Sequence, residues 1–258
     1  MAAGASVDDT AASGNTALVI AAHSGHWPLG IYLLEQGADP NAADGGYTAL
    51  HAAVLRGELD LVEALLEHGA DVDTRLDQGT PGRRFSTDYS LFHQFVGANA
   101  FWLAAVYGEP EILRVLAGHG ADASMTPRNG ASSLQAAIGT RQMRYYKNRR
   151  DRAGIPTPDP ATEETLILDL ARIAVDSGVD INAADNGGNT ALHDAVRGGF
   201  GSVVEFLAAE GADLDVANED GHTAFALAET RRRPGDSNGL PAPRSEIAEL
   251  LLRLGARR

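Results

Sequence analysis

Six times along the 258-residue sequence the same two signals return in order: a tetrad of the Thr-Ala-Leu-His kind, then a leucine-rich run closed by a Gly-Ala-Asp-like triplet. The tetrads start at Thr16, Thr48, Asn99, Ser132, Thr190 and Thr223, and the triplets at Gly37, Gly69, Gly120, Gly178, Gly211 and Gly255. In four of the six repeats the tetrad start lies 21 residues before its glycine, and the usual step between repeats is 32 or 33. A period of that size marks a unit that cannot bury its own apolar face and gains a core only by stacking on its neighbours.

Each part of the motif has a physical task. Thr48 is expected to cap an inner helix by accepting one of the backbone N–H groups that a helix start leaves without a partner. Ala49, Ala52 and Ala53 keep that helix thin enough for close stacking, and Gly57 stops it. Leu61, Val62, Leu65 and Leu66 then form the apolar stripe of an outer helix, which Gly69 ends in a left-handed conformation.

On these residues the sequence resembles the ankyrin repeat family across nearly its whole length. The resemblance implies an all-α repeat solenoid of helix-turn-helix units with extended fingers, curved in a right-handed array with inserted loops. It implies one domain over residues 12–258, with repeats at about 14–45, 46–73, 97–126, 130–183, 188–216 and 221–258, after a tail at 1–11.

The same arithmetic locates three insertions, at 74–98, 138–161 and 231–244. Gly69 to Asn99 takes 30 residues where other junctions take 11 or 12, which enlarges a finger. The other two fall between inner and outer helices. Arg83, Arg84, Phe85, Tyr89, Phe92, His93 and Phe95 make the first insertion aromatic, whereas the run from Arg141 to Arg152 is basic. Pro156, Pro158 and Pro160 read as an extended limb leading to an outer helix that starts near Thr162. Insertions of this length in a compact array carry function or stay without fixed structure.

A net charge of −14 argues against non-specific nucleic-acid binding. The absence of cysteine removes disulfides, thiolate metal sites and cysteine nucleophiles. No apolar run reaches the roughly 20 residues a membrane helix needs. The first residues show no secretory signal, so a cytoplasmic location is expected.

Of the eight histidines, the resemblance gives His51 and His193 a structural role, hydrogen-bonding backbone between fingers, and places His26, His68 and His119 beside outer helices. His23, His93 and His222 are off-pattern, but they come from repeats one, three and six, too far apart for a zinc triad. No metal or cofactor is expected. Asp194 stands where the other repeats carry Ile20, Ala52, Leu103, Ala136 and Leu227, and Arg197 one turn on is its expected partner. Asp194, His93 and His23 are the residues a catalytic reading would use, yet no nucleophile, phosphate loop or His-Glu metal motif accompanies them.

In ankyrin proteins the concave surface is lined by residues just before the tetrad and seven or eight beyond its start. That implies a binding face made of Tyr47, Leu55, Arg56, Val106 and Tyr107, with Trp102, Phe95 and His93 beside them and Arg128, Asn129 and Arg197 continuing it. The basic run adds Arg141, Arg144, Tyr145, Tyr146, Arg149 and Arg150. The expected function is partner recognition, with a protein the favoured partner and a monomeric chain. The alternative is a small-molecule receptor or enzyme whose insertions roof the groove, and what separates the two is whether the insertions fold inward around a cavity. The insertion pattern also resembles a subset of bacterial ankyrin proteins.

Overall fold

The computed structural model describes residues 6–80, 90–139, 159–229 and 244–257. Among them are twelve α-helices: α1 (Ala17–Ser24), α2 (Trp27–Glu35), α3 (Ala49–Arg56), α4 (Leu59–Glu67), α5 (Ala100–Tyr107), α6 (Pro110–Gly118), α7 (Ser133–Gly139), α8 (Pro160–Asp176), α9 (Ala191–Gly198), α10 (Gly201–Ala209), α11 (Ala224–Glu229) and α12 (Arg244–Leu254). A 3-10 turn covers His93–Phe95. β pairing among the described residues is limited to single bridges, Thr10 with Thr16, Ala184 with Thr190 and Ala217 with Thr223, which close the fingers. This is an all-α repeat solenoid of ankyrin type.

The chain divides into two compact units, Met1–Arg128 and Asn129–Arg258, where the sequence suggests one domain. The division falls between the third and fourth repeats, at a junction, as expected where each repeat is held by its neighbours rather than by a common core. In the first unit α1 packs on α3 and α3 on α5, while α2 packs on α4 and α4 on α6. In the second, α7 packs on α9 and α9 on α11, with α8 on α10 and α10 on α12 behind them.

Helices of eight residues are marginal alone in water, so stacking and capping must hold them. Thr48 caps α3 as expected: its hydroxyl accepts from the His51 N–H at 3.4 Å, and the Thr48 N–H donates back to His51 Nδ1 at 3.1 Å. Ala52 and Ala53 are fully buried where the inner helices meet. Gly69 has φ +88° with open space where a Cβ would point, so the left-handed backbone alone requires glycine there. In α12 Leu250 and Leu251 are buried while Glu246, Glu249 and Arg253 face outward.

Two boundaries differ from the sequence reading. Helix α8 starts at Pro160, not Thr162, because Asp159 is the cap: its Oδ1 accepts from the Ala161 and Thr162 N–H groups at 3.0 and 3.1 Å. Pro160 occupies the first helical position, where its fixed φ fits and its missing N–H costs nothing. Residues 6–11 are part of the first finger and not a tail. The Ala11 N–H donates to the Asn15 carbonyl at 2.9 Å, and Asp8 Oδ1 accepts from the Asp39 N–H at 2.9 Å.

Of the insertions, the structure describes both limbs of the first, 74–80 and 90–98. They pair with each other: the Leu76 N–H donates to Ala98 O at 2.8 Å, the Gly97 N–H to Leu76 O at 2.8 Å, and the Thr80 N–H to Leu91 O at 2.9 Å. The Asp77 and Gln78 N–H groups both donate to Gly46 O at 3.0 Å, which ties the ribbon to the finger of repeat two. Most of the second and third insertions, with Arg141, Arg144, Tyr145, Tyr146, Arg149 and Arg150, lies outside the described residues, as do Arg83, Arg84, Phe85 and Tyr89.

Candidate functional site

The fingers are joined by a polar ladder that the repeat spacing builds. Two residues past four of the five closing Asp residues stands an Asp or Asn whose side chain reaches the next repeat; after Asp122 the place is taken by Ser124. Asn41 Oδ1 accepts from the Asp71 N–H at 2.7 Å, and Asp73 Oδ1 from the Asp122 N–H at 2.8 Å. In the second unit Asn182 does the same for Asp213 at 2.8 Å, and Asp215 for Arg257 at 2.7 Å. Each bond places a carboxylate or amide oxygen on a backbone donor that the finger would otherwise leave to water.

A second set of links rises from the tetrads. His51 Nε2 donates to Thr74 O at 3.1 Å and His193 Nε2 to His222 O at 3.1 Å, as the family resemblance implies. Both Nδ1 atoms accept from the Thr N–H at the cap, so each imidazole is held in its neutral form. Burial lowers the pKa of His51 to about 4, only partly offset by its bond to Thr74, and lowers that of His193 in the same direction.

In repeat four Gln135 takes the histidine's place with the same two contacts: Oε1 accepts from the Ser132 N–H at 3.1 Å and Nε2 donates to Asn189 O at 2.9 Å. Asn99 in repeat three does more. It caps α5 through the Trp102 N–H at 3.0 Å, and its amide donates to Asp73 Oδ1 at 2.9 Å and Asp122 O at 3.0 Å, tying the fingers on both sides. An amide supplies donor and acceptor at once, which a threonine cannot do over that span.

Above α5 the first insertion is pinned by rings. Phe95 lies 5.1 Å from Trp102 and 6.2 Å from Tyr107, centroid to centroid, and Phe92 packs edge-on against Phe95 at 5.6 Å. The Tyr107 hydroxyl donates to Ser90 O at 3.3 Å. Phe95, Trp102 and Tyr107 are each no more than 3% exposed. The limbs therefore fold inward over the inner-helix face, and the chain's own rings occupy the space beneath them.

This packing changes the standing of the expected binding residues. Tyr47, Leu55, Phe95, Trp102, Val106 and Tyr107 are interior side chains, not an open wall. Tyr47 packs against the His23 ring at 5.5 Å and its hydroxyl accepts from the Asn15 amide at 3.3 Å. For Trp102 and Tyr107 the sequence rule fails because the first insertion packs on them through Phe95 and Ser90. Around the cluster, His93 and Arg128 are exposed, and Arg56 is half-buried with its Nε donating to His23 O at 2.7 Å.

In the second unit Arg197 and Asp194 form the expected pair at 3.1 Å. Asp194 also accepts from the Gln135 amide at 3.3 Å, and Arg197 donates to Asn189, which Asn218 contacts at 2.9 Å. Burial pushes the Asp194 carboxyl up, with the Arg197 guanidinium and the Gln135 amide opposing it. The network joins helix caps to fingers, and the sequence reading found only its Asp194–Arg197 pair. Gln135 and Asn189 were legible only as a variant tetrad and the residue before a tetrad. Asn129 and His222 are exposed, and the described residues contain no group of three His, Asp or Glu side chains arranged to hold a metal ion. No helix among them is long and apolar enough to cross a membrane.

Comparison with known proteins agrees with this geometry. Family models described as ankyrin repeats match residues 1–75 (three copies) and 168–208 (many copies). Similar curated proteins include mouse "Ankyrin repeat and SOCS box protein 16", 28% identical over 227 residues, covering 82% of this chain and 46% of that protein. Human "Ankyrin repeat and SOCS box protein 6" is 28% identical over 202 residues, 75% of this chain and 30% of its own length. Human "BCL-6 corepressor-like protein 1" is 30% identical over 151 residues, 57% of this chain and 8% of that protein. The chain thus spans less than half the length of these relatives. With Thr-capped inner helices, glycine-closed outer helices, bridged fingers and these matches together, the chain belongs to the ankyrin-repeat family.

Proposed function

We propose that the chain is a recognition module for a protein partner, which it grips on the inner-helix and finger side with polar side chains standing on a rigid base. In the first unit the gripping groups are Arg56, His93 and Arg128. In the second they are Asn129 and Arg197, and the arginine-rich segment with Arg141, Arg144, Tyr145, Tyr146, Arg149 and Arg150 adds positive charge to an acidic protein. Trp102 and Tyr107 serve from beneath by holding the first insertion in place through Phe95 and Ser90, while Tyr47, Leu55 and Val106 lie in the interior.

One observation carries this reading: the described limbs of the first insertion are folded onto a filled aromatic cluster of Phe95, Trp102 and Tyr107. A small-molecule site needs an enclosed cavity at that point, whereas a protein partner needs a surface of fixed shape, and fixing it beforehand lowers the ordering cost of association. The protein-binding role of ankyrin repeats supports the same choice.

Affinity capture from the source lysate tests the proposal, using the wild type beside a His93→Glu, Arg128→Glu variant with an unchanged thermal melt. A protein recovered by the wild type and lost by the variant is the expected result. Identical recovery by both would remove the proposed surface.

A further inference from the structure

The sequence holds three Asn-Gly pairs, at Asn129, Asn186 and Asn238, of which the third lies outside the described residues. An asparagine followed by glycine is open to attack by its own backbone, because no side chain on the next residue keeps that residue's nitrogen from Cγ. The two described pairs are alike in setting: both asparagines are exposed, and each stands just ahead of a tetrad. Their hydrogen bonds separate them. Asn129 Oδ1 accepts from the Ala131 N–H at 3.2 Å, a bond that leads the side chain past the intervening Gly130 amide. Among the described residues neither the Gly130 N–H nor Asn129 Nδ2 has a hydrogen-bond partner. At the second pair the Gly187 N–H donates to Asp185 Oδ1 at 2.9 Å, which also accepts from the Asn189 N–H at 2.9 Å.

From this we infer that Asn129 is a site of spontaneous covalent modification, deamidation through a succinimide, and that the fold protects Asn186 from the same reaction. The Gly130 nitrogen, giving its proton to hydroxide, forms a bond to Asn129 Cγ. The Cγ–Nδ2 bond breaks, and the nitrogen leaves as ammonia with a proton from water. Water then opens the succinimide ring at either carbonyl, to aspartate or to isoaspartate, and no oxidant or reductant enters. The Ala131 N–H stabilises the negative charge that gathers on Oδ1 during attack, as a backbone donor does in an oxyanion hole. At Asn186 the attacking nitrogen must first give up a bond to a carboxylate, which holds its proton in place.

The change acts on the fingers. Asn129 O accepts from the Asn186 N–H at 2.9 Å, which ties the chain ahead of the fourth tetrad to the chain ahead of the fifth. Aspartate keeps that peptide carbonyl and adds a negative charge beside it. Isoaspartate runs the backbone through Cγ instead, so the former carbonyl becomes a branching carboxylate and the Asn186 N–H loses its peptide acceptor. Asn129 also belongs to the surface proposed above, but the inference stands without that surface, since the reaction takes water alone.

Peptide mapping by mass spectrometry tests this on the full chain, aged at mildly alkaline pH with no partner present. Trypsin releases residues 129–141 and 173–197 as separate peptides, each carrying one of the two pairs, and fragmentation places the converted residue. In the folded chain Asn129 converts at least about tenfold faster than Asn186, the factor that one charge-assisted hydrogen bond sets. In urea, where that bond is gone, the two rates converge. Asp185→Ala, checked by thermal melt, brings the Asn186 rate toward that of Asn129. The inference is overturned if Asn186 keeps pace with Asn129 in the folded wild type. It is overturned equally if the difference persists undiminished in urea, which would assign it to neighbouring sequence, or if a folded Asp185→Ala chain leaves Asn186 slow.

Discussion

His51 and Gln135 solve one problem with different chemistry. Each accepts a backbone N–H at its own helix start and donates across to the next finger. Only the imidazole titrates, and because burial holds its pKa near 4, the folded chain resists a proton that the unfolded chain accepts at about 6.5. As pH falls from 6.5 toward 4 the unfolded state is therefore favoured by this residue, at up to about 1.4 kcal/mol per pH unit, with no further loss below. His51→Gln is expected to keep near wild-type stability at pH 7 and to exceed the wild type by about 2 kcal/mol at pH 4.5, measured by urea unfolding. An identical pH dependence in the two chains would show that His51 is not held neutral. The capping threonine was readable from the tetrad by local spacing, whereas the histidine's bond to the neighbouring finger followed from the family resemblance. The buried state of Trp102 was not legible, because it rests on Phe95 of an insertion whose path no local pattern states.

At the scale of the element, the ribbon at 74–80 and 90–98 shows how an insertion becomes part of a stack. It has few partners of its own, so it borrows Gly46 for backbone bonds and α5 for a hydrophobic floor. Phe95 is the joint. Phe95→Ala should cost about 3–5 kcal/mol, the usual range for emptying a buried phenylalanine site, and should move Trp102 emission to longer wavelength as water reaches the indole. A loss under about 1 kcal/mol with unchanged emission would mean that the ring is not packed there. Helix α8 illustrates a different borrowing. Glu164 Oε1 accepts from both the N–H and the hydroxyl of Ser202 at 2.8 Å, capping the start of α10 from the neighbouring repeat. Asp159 and Pro160 carry the start signal of α8 itself, and Glu164 serves α10. A cap in sequence is legible, while a cap supplied across space requires the register of two helices to be known.

For the molecule as a whole, repeat spacing made the fold legible, since four of the six repeats share the 21 residues between tetrad and glycine and the other two differ by an insertion. The division into two units and the filling of the inner-helix face were not legible, because both depend on how insertions and junctions meet their neighbours. Charge belongs to the same scale: a formal net charge of −14 gives the chain a negative field. Whether the exposed groups of the first unit act from a fixed platform turns on the first insertion being a built part of the stack. Native-state hydrogen exchange reads this directly at the Leu76, Thr80 and Gly97 amides, whose partners are the Ala98, Leu91 and Leu76 carbonyls. Protection at these three within about tenfold of that in the adjoining helix α3 is the predicted result. Exchange at the rate of an unstructured chain would contradict it and return the insertion to a loose flap.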